Sequence, residues 1–183
     1  MNQRGFVLVE FVIALPLLIF LLYALGNMTL TAAKIAREQV ADYALETEAQ
    51  EIIDRITTDA KAARSVEIGE YFDFEKIIFI CHENRPDKVY IYDILDRRIY
   101  RALGSIYFNH KEDETPNNPV TGKNSFGNTI VTDLNFSGDF LEKKILHITL
   151  EMQSEVTKQK VKFSTAVYMP ACEKIIYHGE KIL

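Results

Sequence analysis

From Phe6 to Leu25 the chain reads FVLVEFVIALPLLIFLLYAL, 20 residues of which 19 are apolar, Pro16 included, and one is Glu10. As a helix, a segment of that length covers about 30 Å, the thickness of a bilayer's hydrocarbon core. A carboxylate near the middle of such a helix costs roughly 2.5–3.5 kcal/mol on insertion scales. Glu10 lies about one turn inside the N-terminal end, where snorkelling lowers that cost. Two readings stand. Glu10 is a charge tolerated at the boundary, or it has a cationic partner within the membrane or within an assembly.

The run is too long for the 7–15-residue core of a secretory signal and contains an acid, although LTAAK at Leu30–Lys34 imitates a cleavage site. It therefore reads as a membrane anchor. Arg4 before the span and a long domain after it favour a cytoplasmic N-terminus and an external head. A plain anchor gives Glu10 no role.

The stretch RGFVLVEF resembles the cleavage and methylation motif of type IV pilins and pseudopilins. In that family a short polar leader ends in Gly, a prepilin peptidase cuts after it, the new N-terminal residue, usually Phe, is N-methylated, and a Glu follows four residues on. The resemblance implies a leader of residues 1–5, MNQRG, cleavage between Gly5 and Phe6, methylation at Phe6, and Glu10 as the residue for assembly and register. Physical chemistry agrees with those roles. Cleavage creates an ammonium at Phe6, which methylation leaves charged. Phe6 and Glu10 are spaced i, i+4 and share a helix face. In an apolar bundle the Glu10 carboxylate can meet a neighbouring subunit's terminal amine, which offsets burial of both charges and fixes one register. Pro16 adds a second likeness. VEFVIALPLL resembles the TadE-like branch of the superfamily, whereas Phe directly after Gly5 resembles the general pilin pattern. The subfamily stays open.

Beyond Asn27 a second helical pattern runs through Ile35, Val40, Leu45, Ala49, Ile52, Ile53, Ile56, Ala60 and Ala63. The spacing predicts one long helix from about Phe6 to Val66, with bends at Pro16 and near Gly26, closed by Gly69. Its parts are the assembly helix 6–26 and an amphipathic second half, 27–68. From Tyr71 the period changes to that of strands. FEKIIFICHE, KVYIYDIL and RRIYRALG are strand-like, with a turn at ILDRR. KVYIYD alternates in part, as in a strand with one buried face. A loop follows, HKEDETPNNPVTGKNSFGN. TIVTDLNFSG, KKILHITLEMQ and QKVKFSTAVYM then give three more strands, the last two pairing across QSEVTKQ and ending at Pro170. ACEKIIYHGEKIL forms a tail with a short edge strand. The expected class is α+β, a long helix packed on one antiparallel sheet formed by residues 69–183. This is also the layout of pilin-like subunits. IIDRITTDAKAARSV, RRIYRAL and VTDLNFSG…LHITLEM follow the order of segments in PilW- and GspJ-type minor pseudopilins, which this region resembles, with Ile99-Tyr100-Arg101 where Leu-Tyr-Arg is common.

Without its first 26 residues the chain keeps 157, enough for one domain with a core, and there 20 bases face 25 acids. That balance gives no electrostatic reason to bind nucleic acid. Cys81 and Cys172 form a disulfide or stay as two separate thiols, and spacing does not decide between them. The four histidines have no metal-binding spacing, and Cys81-His82-Glu83 alternates across a strand. Glu112, Asp113 and Glu114, with Asn117 and Asn118, offer hard oxygen ligands for calcium, or form a solvated loop. No nucleophile elbow, P-loop or dinucleotide fingerprint occurs.

The expectation is a non-enzymatic minor pilin or pseudopilin without cofactor. Its expected partners are a prepilin peptidase, other pilin-like subunits and an inner-membrane assembly platform. Its place is the cytoplasmic membrane, single-pass, then a surface or periplasmic filament. The alternative is a single-pass anchored extracytoplasmic binding or sensing domain that does not polymerise.

Overall fold

A computed structural model describes residues 3–71, 75–103, 119–121, 129–139 and 144–182. One helix is followed by eight strands among the described residues, an α+β arrangement. By internal contacts the chain divides into two units, Met1–Gln39 and Val40–Leu183.

Helix α1 runs Gln3–Lys61, and its helical backbone continues through Pro16 and Gly26. In the second unit Ala41, Leu45, Ala49, Ile52, Ile53, Ile56 and Ala60 are buried, at spacings of three and four. Glu46, Gln50, Glu51 and Asp54 lie on the exposed side. The helix stops short of the expected Val66. Ala62 N and Ala63 N donate to Asp59 O and Ala60 O at 3.3 and 3.0 Å, a tightened last turn.

Strand β1 (Ser65–Tyr71) then begins where the helix was expected to continue. Ala60, Ala63 and Val66 fall at helical spacing, which masks the alternation of Val66 and Ile68 with Glu67. Gly69, expected to close the helix, lies inside β1 instead. The register of β1 against the last strand shifts between Gly69 and Tyr71, the kind of irregularity an isolated strand glycine marks.

The strands form two sheets rather than one. The first joins β4 (Arg98–Leu103), β3 (Lys88–Asp93), β2 (Glu75–Cys81), β1 and β8 (Lys174–Ile182), in that order. Neighbours are antiparallel except β1 and β8, which are parallel. The tail thus supplies a nine-residue strand, longer than expected, and a parallel pair. The second sheet is antiparallel, β5 (Thr129–Asp139), β6 (Ile145–Ser154) and β7 (Lys160–Tyr168). The hairpin of β6 and β7 across Glu155–Gln159 is the expected one. Ser154 Oγ accepts from Val156 N and Thr157 N, both at 3.2 Å, and Lys158 takes a left-handed φ of 60°. The β3–β4 turn is equally local: Asp93 Oδ1 accepts from Leu95 N at 2.8 Å and Asp96 N at 3.1 Å.

Both sheets and α1 share one core. Leu45, Ile52 and Ile56 of the helix meet Ile78, Ile80, Tyr90 and Ile99 of the first sheet and Leu134, Ile148 and Leu150 of the second. The other face of the first sheet is buried too, at Ile77, Phe79, Val89, Ile91 and Tyr100. KVYIYD was expected to bury one face. It buries both, as its unbroken run Val89-Tyr90-Ile91-Tyr92 permits.

Candidate functional site

In the first unit the candidate site is a surface. Phe11, Val12, Ile13, Leu15, Leu17 and Leu18 are each more than half exposed, and so are the large apolar side chains onward to Leu25. Residues exposed here belong to the same types that the second unit buries completely. An 18-residue window has a mean hydropathy of 2.2 and none of it is buried, so by length and composition the helix can cross a membrane. Two hydroxyls just beyond the apolar run are satisfied within the helix. Thr29 Oγ1 donates to Leu25 O at 2.9 Å and Thr31 Oγ1 to Asn27 O at 2.8 Å. Between Arg4 and Lys34 the single charged residue is Glu10, and its side chain is exposed. Gly5, Phe6 and Glu10 all lie within α1, so Phe6 and Glu10 are one helical turn apart.

In the second unit, polar chemistry gathers at the C-terminal end of α1. Asp59 Oδ2 accepts a hydrogen bond from Tyr90 OH at 2.6 Å and one from Arg101 Nη2 at 2.9 Å. The Arg101 guanidinium also lies over the Tyr90 ring, 5.7 Å from its centroid. Burial first, and then the bond to Asp59, raise the Tyr90 phenol above its ordinary value. In the sequence the segment holding Asp59 and the one holding Ile99-Tyr100-Arg101 stand apart, and the fold joins them. The signal was period two: Tyr90, Arg101 and Ile99 fall on the helix-facing side of their strands.

Nearby, Phe163 of β7 shares an open depression of about 860 Å³ with Tyr43, Glu46, Gln50 and Asp54 of α1. Asp54 accepts from Gln50 Nε2 at 3.0 Å, and Arg55 pairs with Glu51. A solvated, largely acidic helix face lines it. Among the described residues no group of three His, Cys, Asp or Glu is placed to hold a metal ion. Glu112, Asp113, Glu114, Asn117 and Asn118, the calcium reading, lie outside the described residues.

Cys81 and Cys172 are free thiols. Cys172 belongs to the core cluster with Ile78 and Ile80. On β2, Cys81 alternates with Ile80 and so points to the opposite side, that of Ile77 and Phe79. A sheet stands between the two sulfurs, so of the two sequence readings the structure holds the separate thiols. Burial raises both thiols above their usual range. The rest of Cys81-His82-Glu83 ties the sheet to the helix end. His82 Nδ1 lies 3.0 Å from Ala62 O, and Arg64 bridges Glu83 at 3.5 Å and Glu173 at 3.2 Å.

No family model, no curated protein and no solved structure matches the chain.

Proposed function

We propose that this chain is a non-enzymatic filament subunit of the pilin-like kind, cut between Gly5 and Phe6 and aligned with its neighbours through Glu10. One observation carries the reading: a continuous helix exposes apolar side chains on every side from Phe11 to Leu25, with a single acid, Glu10, one turn beyond Phe6. Such a surface is stable in lipid or against other helices like itself. An acid there is stabilised by a cation, and cleavage after Gly5 supplies one on each neighbour. The long helix leading into an α+β head supports the same reading, as does the acidic balance of the head, which favours solvent over an anionic surface. In this reading the subunit waits in the cytoplasmic membrane with its head outside, then joins a filament built by an assembly platform. A minor, tip or priming position fits the likeness to PilW- and GspJ-type subunits.

Intact mass or N-terminal sequencing of the protein from its native host tests the proposal. The expected chain starts at Phe6, carries a methylated amine and lacks Met1–Gly5. A chain that still begins at Met1 or Asn2 would sink the filament reading and leave a single-pass anchored domain.

A further inference from the structure

The second sheet is open along one edge. In antiparallel ladders, pairs that exchange backbone hydrogen bonds recur at every second residue. Ser154 N donates to Gln159 O at 3.0 Å, and Met169 N donates to Lys144 O at 3.0 Å. Between these two pairs the register of β6 on β7 runs without a shift. The odd residues of β7 therefore bond to β6. The even ones, Lys160, Lys162, Ser164, Ala166 and Tyr168, turn their backbone N–H and C=O groups outward. Among the described residues nothing pairs with that edge.

The edges at β4 and β5 are blunted in ways β7 is not. The outer edge of β4 is met by Pro119 and by Val120 N, which donates to Ile99 O at 2.7 Å. Strand β5 carries an irregularity between Val131 and Asp133. Nine-residue β7 is regular, has no proline, and its inward row is Val161, Phe163, Thr165 and Val167. The facing residues of β6, Leu146, Ile148, Leu150 and Met152, are fully buried, while Val161, Phe163 and Thr165 are only half-buried. The core is thus unfinished on this side, and the depression shared by Phe163 and Tyr43 lies next to it.

We infer that β7 is a docking edge for an extended segment of another protein, in which apolar residues alternate with acidic ones. Backbone groups of β7 supply the pairing. Apolar side chains of the guest continue the row of Val161 and Phe163. Charge sets the other face. Lys158 and Lys160 are exposed and have no ion-pair partner among the described residues, while Lys162 pairs with Glu151 at 2.6 Å. Acids on the guest would stand beside those lysines. A second copy of β7 fits less well, because pairing two β7 strands antiparallel sets Lys160 opposite Tyr168 and Lys162 opposite Ala166 and brings no acid to those lysines. The inference goes beyond filament assembly and does not depend on it.

The test uses the full chain in detergent and two synthetic peptides as long as β7. One alternates valine with glutamate and the other valine with lysine. Binding is read by fluorescence anisotropy and self-association by sedimentation velocity. Ala166→Pro removes an outward N–H and leaves the β6 ladder whole, which an edge strand tolerates. Its circular dichroism should match the parent. The glutamate peptide is expected to bind, with Ala166→Pro weakening it about tenfold or more, and with the lysine peptide weaker by a similar factor. No binding, equal binding by Ala166→Pro, or equal binding of the lysine peptide would overturn the inference. Self-association of the parent that Ala166→Pro abolishes would overturn it in favour of a second copy.

Discussion

Asp59 on α1 and Arg101 on β4 form an ion pair at 2.9 Å, and the Tyr90 hydroxyl shares the same carboxylate oxygen. The pair joins two chain segments that are 42 residues apart. It fixes the end of the helix on the first sheet.

Breaking it should cost stability. The side chains are 33% and 18% exposed, so the charges are partly desolvated. Arg101→Met leaves the carboxylate with Tyr90 alone, and we expect a loss of about 1–3 kcal/mol. A cycle with Asp59→Asn, followed by denaturant unfolding of the full chain in detergent, should give a coupling of at least about 0.5 kcal/mol. Additive effects of the two substitutions would show that the pair does not hold the helix.

Tyrosines should make the head alkali-sensitive. Burial, then the 2.7 Å bond to Asp96, pushes Tyr100 up to about 12, and Tyr90 is raised for similar reasons. A raised folded value means that the fold favours the neutral phenol. That contribution is complete below the unfolded value near 10 and fades as pH climbs through the folded value. Stability should therefore hold up to about pH 10 and fall between about pH 10 and 12. Tyrosinate absorbance should show late titration that Tyr100→Phe reduces. A flat stability profile across that range would contradict the assignment.

The thiols should remain separate. Under non-reducing, denaturing alkylation we expect two free thiols per chain. In the native state Cys81, partly exposed, should react faster than buried Cys172, and both slowly, since burial disfavours the thiolate. An intramolecular Cys81–Cys172 bond in protein from its native host would mean that the two residues do not lie on opposite faces of the first sheet.

The helix, the β6–β7 hairpin and the strand at Lys88–Asp93 were legible because their patterns are long and their turns are local. QSEVTKQ carries Ser154, and the ILDRR turn is held by Asp93 just before it. Strand β1 was hidden because three apolar residues at helical spacing overlap its short alternation. The parallel pairing of β8 with β1 was illegible for another reason. It joins Ser65 to Lys174, more than a hundred residues apart, with no turn between them to announce it. The same holds for Asp59 and Arg101: a single pair of charges says nothing of its partner until the register is known. The open edge of β7 depends on which strands do not pair, which no periodicity records. Glu10 was the opposite case, conspicuous at once because its cost is local.

Glu10→Val offers the sharpest test of the proposed assembly role. Replacing this acid by valine lowers the insertion cost, by less than the roughly 3 kcal/mol of a mid-span carboxylate, so the span should stay in the membrane at least as well as before. The variant keeps Gly5 and Phe6, so leader removal should proceed as in the parent. Incorporation into filaments should nevertheless fall sharply, because each incoming subunit would bury its terminal ammonium without a carboxylate opposite. The readout is paired: mass spectrometry for the Phe6 start, and the fraction of subunit in sheared or purified filaments. Loss of both would point to a damaged cleavage site rather than a missing partner. Unchanged incorporation with normal cleavage would show that Glu10 is a tolerated boundary charge, and the register role would be withdrawn.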